Sequence, residues 1–205
     1  MSFIRRLFKR ETQEVAVVSG LPRSGTSMMM KMLEAGGIQP LTDEIREADA
    51  DNPKGYYEFE RVKQLDKGDQ AWLSEAEGKA VKVISALLKH LPDTHQYKVI
   101  FMRREMSEIL ASQQRMLSRR GEAGSGVDDE QMAAMFEKHL KQTTAWLETQ
   151  PNVDVLYVNY NDVLAEPARQ VQRLNHFFGG MLNTERMAGV VDERLYRQRV
   201  GDHRQ

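Results

Sequence analysis

VAVVSGLPRSGTSMMMKMLEAGGI, residues Val15 to Ile38, joins a short β-branched run to a helical pattern through eight loop residues, Gly20 to Ser27. The order is strand, tight loop, helix. Such a loop binds phosphate because successive backbone N–H groups and the positive end of the helix dipole converge on one anion. Gly20 and Gly25 let the backbone approach that anion closely. Ser27 to Ala35 reads as the helix, with Gly36-Gly37 as its stop signal. The run of Met28, Met29, Met30, Met32 and Leu33 wraps so much of that helix that burial against a sheet follows, rather than a methionine ligand site.

Gly20 and Gly25 are spaced as in the P-loop pattern G-x-x-x-x-G-K-[ST], and only the lysine is missing, with Thr26 in its place. The loop therefore lacks the ammonium that reaches the β- and γ-phosphates of a nucleoside triphosphate, while Arg23 offers a cation from within. P-x-R-S-G-T-S after a strand resembles the 5′-phosphosulfate loop of sulfotransferases that use 3′-phosphoadenosine 5′-phosphosulfate (PAPS).

Further along, Ala80–Ser85, Tyr97–Met102 and Val153–Val158 read as strands. Glu105–Arg119, Glu130–Thr149 and Asp162–Phe178 read as helices, the last closed by Gly179-Gly180. Leu87, Leu88 and Leu91 suggest a short apolar helix or turn ended by Pro92. Gln39 to Asn52 reads as a loop or short helix, and Asp51 to Glu58 as a turn leading into two aromatics and a carboxylate. Strands separated by helices predict an α/β fold, a parallel β-sheet flanked by helices on both faces. Ligands of such a sheet lie at the carboxyl ends of its strands.

A second anion binder falls on that edge. Arg103-Arg104 follows the third strand, and Ser112 lies eight residues after Arg104 on the next helix. Arginine presents a fork of donors to phosphate oxygens, and a helix serine can complete the cradle. This strand-R-x7-S arrangement resembles the 3′-phosphate motif of sulfotransferases. With DNPKGYYE, the strand around Lys82, and VNYNDVLAEPARQVQRLNHFFG, the resemblance to small bacterial sulfotransferase-family proteins covers most of residues 15 to 180.

The resemblance implies a P-loop NTPase-like three-layer sandwich and sulfuryl transfer from PAPS to a hydroxyl or amine of a small-molecule, glycan or lipid acceptor. Arg23, Ser24, Gly25, Thr26 and Ser27 would clamp the 5′-phosphosulfate, and Arg104 and Ser112 the 3′-phosphate. No step requires a metal. Cytosolic members carry K-x-H where this chain has Lys82-Val83-Ile84, so the base is expected elsewhere. Glu58, after Tyr56-Tyr57, resembles the glutamate of heparan-type members, with Lys82 on the sulfuryl oxygens; His90 is the alternative base. Arg197 and Arg199 weakly resemble a late basic segment that closes over the 3′-phosphate. A P-loop kinase or triphosphatase and a non-catalytic phosphoadenosine-nucleotide-binding protein are the competing readings.

Composition sets the remaining bounds. Lys and Arg total 29 against 30 Asp and Glu, a net charge of −1 that does not point to nucleic acid and makes any anion site local. There are no cysteines, hence neither disulfides nor thiolate chemistry. One domain, residues 15–205, is expected after a basic extension, residues 1–14. The extension has no signal-peptide pattern, and suits either a surface-packed turn or contact with a membrane surface. No segment has the apolar length of a membrane span. A cytoplasmic location is the expectation, oligomeric state is not legible, and Gly121 to Gly126 reads as a long connection or a lid.

Overall fold

The computed structural model describes residues 14–43, 45, 56–119 and 128–191. Its sheet has four strands, β1 (Val15–Gly20), β2 (Ala80–Lys82), β3 (Tyr97–Arg103) and β4 (Val153–Asn159), in the order β2-β1-β3-β4. All three pairings are parallel. The four carboxyl ends therefore share one edge. Register fixes what meets there: Gly20 lies beside Met102, Lys82 beside Val18, and Arg103 beside Asn159.

β1 and β3 are buried on both faces, which is why they read as unbroken apolar runs instead of alternating ones. On one face Val15, Val17, Val99 and Phe101 pack with Trp72, Leu73, Leu88 and Leu147. On the other, Val18, Ile100 and Met102 pack with Met29, Met30, Met32, Leu33, Leu174 and Met187. Helices α1 (Thr26–Gly36), α6 (Pro167–Phe177) and α7 (Thr184–Ala188) cover this second face; α2 (Leu73–Ala76) and α4 (Asp129–Leu147) cover the first. The three-layer α/β expectation holds, with α3 (Met106–Arg119) and α5 (Tyr160–Ala165) starting at the carboxyl edge.

Local departures from the sequence reading have physical causes. The second strand stops at Lys82 and not Ser85, because β1 turns into the loop at Gly20 and the last bond available is Val83 N–H to the Val18 carbonyl. Ser85–His90 then closes as a 3-10 helix, burying Leu87 and Leu88. The helix expected over Asp162–Phe178 is two, α5 and α6. Pro167 has no N–H to donate, and it forces Glu166 to φ −133°, ψ 59°. The short α7 was not anticipated. Its Met187 fills the space beside Gly36, where an added Cβ would lie 2.8 Å from the sulfur. Gln39–Leu41 runs along β2, with backbone bonds from Ala80 N–H to the Gln39 carbonyl and from Leu41 N–H to the Ala80 carbonyl.

Candidate active site

The loop after β1 is shaped by three unusual backbone positions. Gly20 adopts φ +148°, Gly25 φ +97°, and Arg23, with a side chain, φ +70°. Left-handed backbone at a non-glycine residue is strained and is held only by its surroundings. Here the holding contacts are visible: the buried Ser24 hydroxyl donates to the Leu21 carbonyl at 2.7 Å, and the Arg104 guanidinium donates to the Arg23 carbonyl at 3.0 Å. At Gly25 a Cβ would fall 2.4 Å from the Tyr160 ring, so only glycine lets α1 begin there. Thr26 opens α1, and the Ser27 hydroxyl reaches the Tyr56 carbonyl at 3.4 Å.

The two anion motifs read from the sequence meet. Arg23 Nε donates to Ser112 Oγ at 2.9 Å across 89 residues, and Arg104 holds the backbone of Arg23. Arg104 is itself buried at the β3–α3 turn, its guanidinium carbon 4.4 Å from the Tyr160 ring centroid. Its Nε donates at 2.8 Å to Glu108, a carboxylate that is 2% exposed and accepts a second bond, at 3.1 Å, from Asn161 Nδ2. Burial raises the Tyr160 hydroxyl pKa, the Arg104 charge opposing the shift. Among the described residues no carboxylate pairs with Arg103; its guanidinium stacks 3.9 Å from the Tyr157 ring centroid.

Lys82 and Glu58 stand at the opposite end of the edge. Lys82 Nζ lies 3.8 Å from Glu58 Oε1 and donates to the Tyr56 carbonyl. Glu58 is also 3.7 Å from Lys63. The segment is tied to α1 by Tyr57, at φ +52°, whose hydroxyl donates to Glu34 at 2.6 Å; burial and that carboxylate push its pKa up. Among the described residues no bond brings His90 to this pair. It closes the 3-10 helix after β2, where its carbonyl accepts from Gln70. Ile84, two residues after Lys82, is 49% exposed. A different histidine approaches: His139 of α4 bonds through Nε2 to the buried Ser85 hydroxyl at 2.8 Å, and desolvation, then the Lys89 charge, lowers its pKa. Arg197, Arg199 and the Gly121–Gly126 stretch lie outside the described residues.

Sequence reasoning missed Glu108, Tyr160, Asn161 and His139. Glu108 had a local signal, a carboxylate four residues after Arg104, and the others had none short of the fold. A cavity of about 470 Å³ opens beside the loop, with Leu21, Ser24, Met102 and Arg104 on one wall and Leu140 and Thr144 of α4 on the other.

A parallel sheet whose first strand runs through a glycine-bearing loop into a helix, with Arg23, Arg104 and Ser112 gathered at its carboxyl edge, defines a P-loop-like α/β domain. The sequence matches the sulfotransferase domain family over residues 13–198, and the chain belongs to that family of PAPS-dependent transferases. Solved sulfotransferases share the fold. Mouse SULT7A1, crystallised with PAP, aligns at 17% identity and TM-score 0.58, over 94% of this chain and 68% of that one. STF1 of Mycobacterium tuberculosis H37Rv aligns at 19% and 0.55, over 87% and 70%. The sulfotransferase domain of the curacin biosynthetic pathway aligns at 13% and 0.51, over 92% of each. No curated protein matches the sequence. Among the described residues no helix is long and apolar enough to cross a membrane.

Proposed function

We propose that the donor lies along this edge with its phosphosulfate over the N–H groups of Ser24 to Ser27 and its 3′-phosphate at Arg104 and Ser112. The observation that carries the reading is the bond from Arg23 to Ser112, which joins the two anion motifs into one site. Both glycines let the loop pack against protein atoms that a Cβ would strike, Ser24 Oγ at Gly20 and the Tyr160 ring at Gly25, which fixes the path of its backbone. In the reaction the S–O bond to the 5′-phosphate breaks, a bond forms from sulfur to the acceptor oxygen or nitrogen, and 3′,5′-adenosine bisphosphate leaves. Negative charge grows on the bridging oxygen, where Arg23 and the loop donors are placed to meet it. The acceptor proton goes to Glu58, and Lys82 beside it faces the sulfuryl oxygens.

No metal is assigned to these steps, and the acceptor is a small molecule, glycan or lipid bearing a hydroxyl or amine, in the cytoplasm. The half-exposed Ile84 at the position of the family's K-x-H histidine favours, as a second reading, a protein that holds the nucleotide without turnover. Calorimetric titration in chelator with 3′,5′-adenosine bisphosphate, ATP and AMP tests the donor site. The bisphosphate should bind best, and Arg104→Ala should weaken it about 10- to 100-fold, as expected for lost charge-assisted bonds. Preference for ATP, or dependence on magnesium, overturns the reading.

A further inference from the structure

Arg104 could not hold its orientation alone. A guanidinium with free torsions has many rotamers, and its long stem loses conformational entropy when one is fixed. Three contacts from three elements select one rotamer here. Glu108, one helical turn on, takes Nε at 2.8 Å; the Tyr160 ring of α5 covers the guanidinium at 4.4 Å; and the Arg23 carbonyl of the loop accepts from Nη1 at 3.0 Å. Glu108 is in turn fixed by Asn161, whose amide donates at 3.1 Å. Asn161 is set by the β4–α5 turn, where its own N–H caps on the Asn159 side chain at 2.9 Å. The chain of contacts therefore runs from the end of β4, through the half-buried Asn161 and the buried Glu108, to a cation of the proposed donor site.

We infer that Glu108, steadied by Asn161, is a positioning residue for 3′-phosphate recognition: it fixes the Arg104 fork toward the anion without touching the nucleotide. The inference rests on the reading of Arg104 given above. Two electrostatic effects compete. A carboxylate beside the arginine reduces the positive potential that a phosphate meets, so its removal by itself would tighten binding. Against this, a buried cation stripped of its carboxylate is strongly destabilised in place and leaves for solvent, which removes the fork altogether. With Glu108 2% exposed, the second effect dominates.

The test compares 3′,5′-adenosine bisphosphate with 5′-AMP, ligands that differ in the phosphate Arg104 would read. The full chain is titrated calorimetrically as wild type, Glu108→Gln, Asn161→Ala and Arg104→Ala, with thermal melting of each. Glu108→Gln should lower the bisphosphate-to-AMP affinity ratio about tenfold and Asn161→Ala about threefold, in line with the loss of charged and neutral hydrogen bonds to a preorganised group. AMP affinity should fall by less than bisphosphate affinity in both, because the Arg23 carbonyl loses one donor while the loop N–H groups that would face the 5′-phosphate remain. A bisphosphate affinity that rises in Glu108→Gln overturns the inference, because the carboxylate then acts as a brake. So does a parallel fall for both ligands, which is what general loosening would give. If Glu108→Gln melts below the working temperature, the Asn161→Ala ratio decides. An unchanged ratio in Arg104→Ala instead removes the underlying assignment of the 3′-phosphate site, a result separable from any of these.

Discussion

The two ends of the carboxyl edge are built differently. At the end formed by the loop, β3 and β4, polar groups are tied to one another: Arg23 to Ser112, Arg104 to Arg23 and Glu108, Glu108 to Asn161, with Tyr160 packed against Arg104. At the β2 end, Lys82 and Glu58 face each other at 3.8 Å, and Ile84, two residues after Lys82, is 49% exposed. On the proposed reading the first end takes the donor, whose shape and charges never vary, and the second takes the acceptor. That is what a shared donor and a variable acceptor demand of one scaffold.

The comparison breaks most severely at Gly25. Gly25→Val sets a β-branched residue at φ +97° and drives its Cβ into the Tyr160 ring, 2.4 Å away. Left-handed strain costs about 1–3 kcal/mol and overpacking a similar amount. Bisphosphate binding should be lost in calorimetry and the melting temperature should fall. A Gly25→Val protein that binds normally would show that the loop is far more plastic than its contacts indicate.

The next effect separates the two ends. Glu58→Gln should leave bisphosphate affinity within about twofold, because Glu58 belongs to the β2 end, while transfer of labelled sulfuryl from PAPS to 4-nitrophenol should fall about 10²- to 10⁴-fold, the range of a general base. Turnover that survives would end the assignment of Glu58 as the base. An equal fall in nucleotide affinity would mean that the ends are not independent.

What the sequence disclosed follows the same division. The anion loop was legible because its chemistry is local, a glycine spacing between a strand and a helix. The placement of Arg104 and Ser112 was legible because both lie on one strand-helix junction. The parallel sheet followed from four β-branched runs separated by helices. Glu108 was missed because a carboxylate four residues from an arginine reads as a solvated helix pair; only Asn161, 53 residues away, shows that the pair is buried. Gly25 follows β1 and Tyr160 follows β4, with β3 between those strands, and no spacing rule connects them. His90 was weighed because it followed Lys82 in the chain, yet the histidine bonded just beyond β2 is His139, brought by a helix 54 residues later.

His139 gives the smallest prediction, and one that sharpens the contrast on the β2 side. Its ring is held by Ser85 at 2.8 Å and lies 3.4 Å from Thr143, and desolvation places its pKa below the ordinary value of about 6.5. The unfolded chain therefore binds a proton that the folded chain refuses, so stability rises with pH across the interval between the two pKa values. Its contribution is fully present above the unfolded pKa and is lost as pH falls through the lower folded one. His139→Asn keeps a donor and an acceptor beside Ser85 but cannot titrate. The melting-temperature advantage of wild type over His139→Asn should therefore shrink on going from about pH 8 to about pH 5. A gap that widens with acid would mean that the folded protein prefers the charged ring. In that case Ser85 accepts from an imidazolium, and the β2 end carries one more cation than Lys82 alone provides.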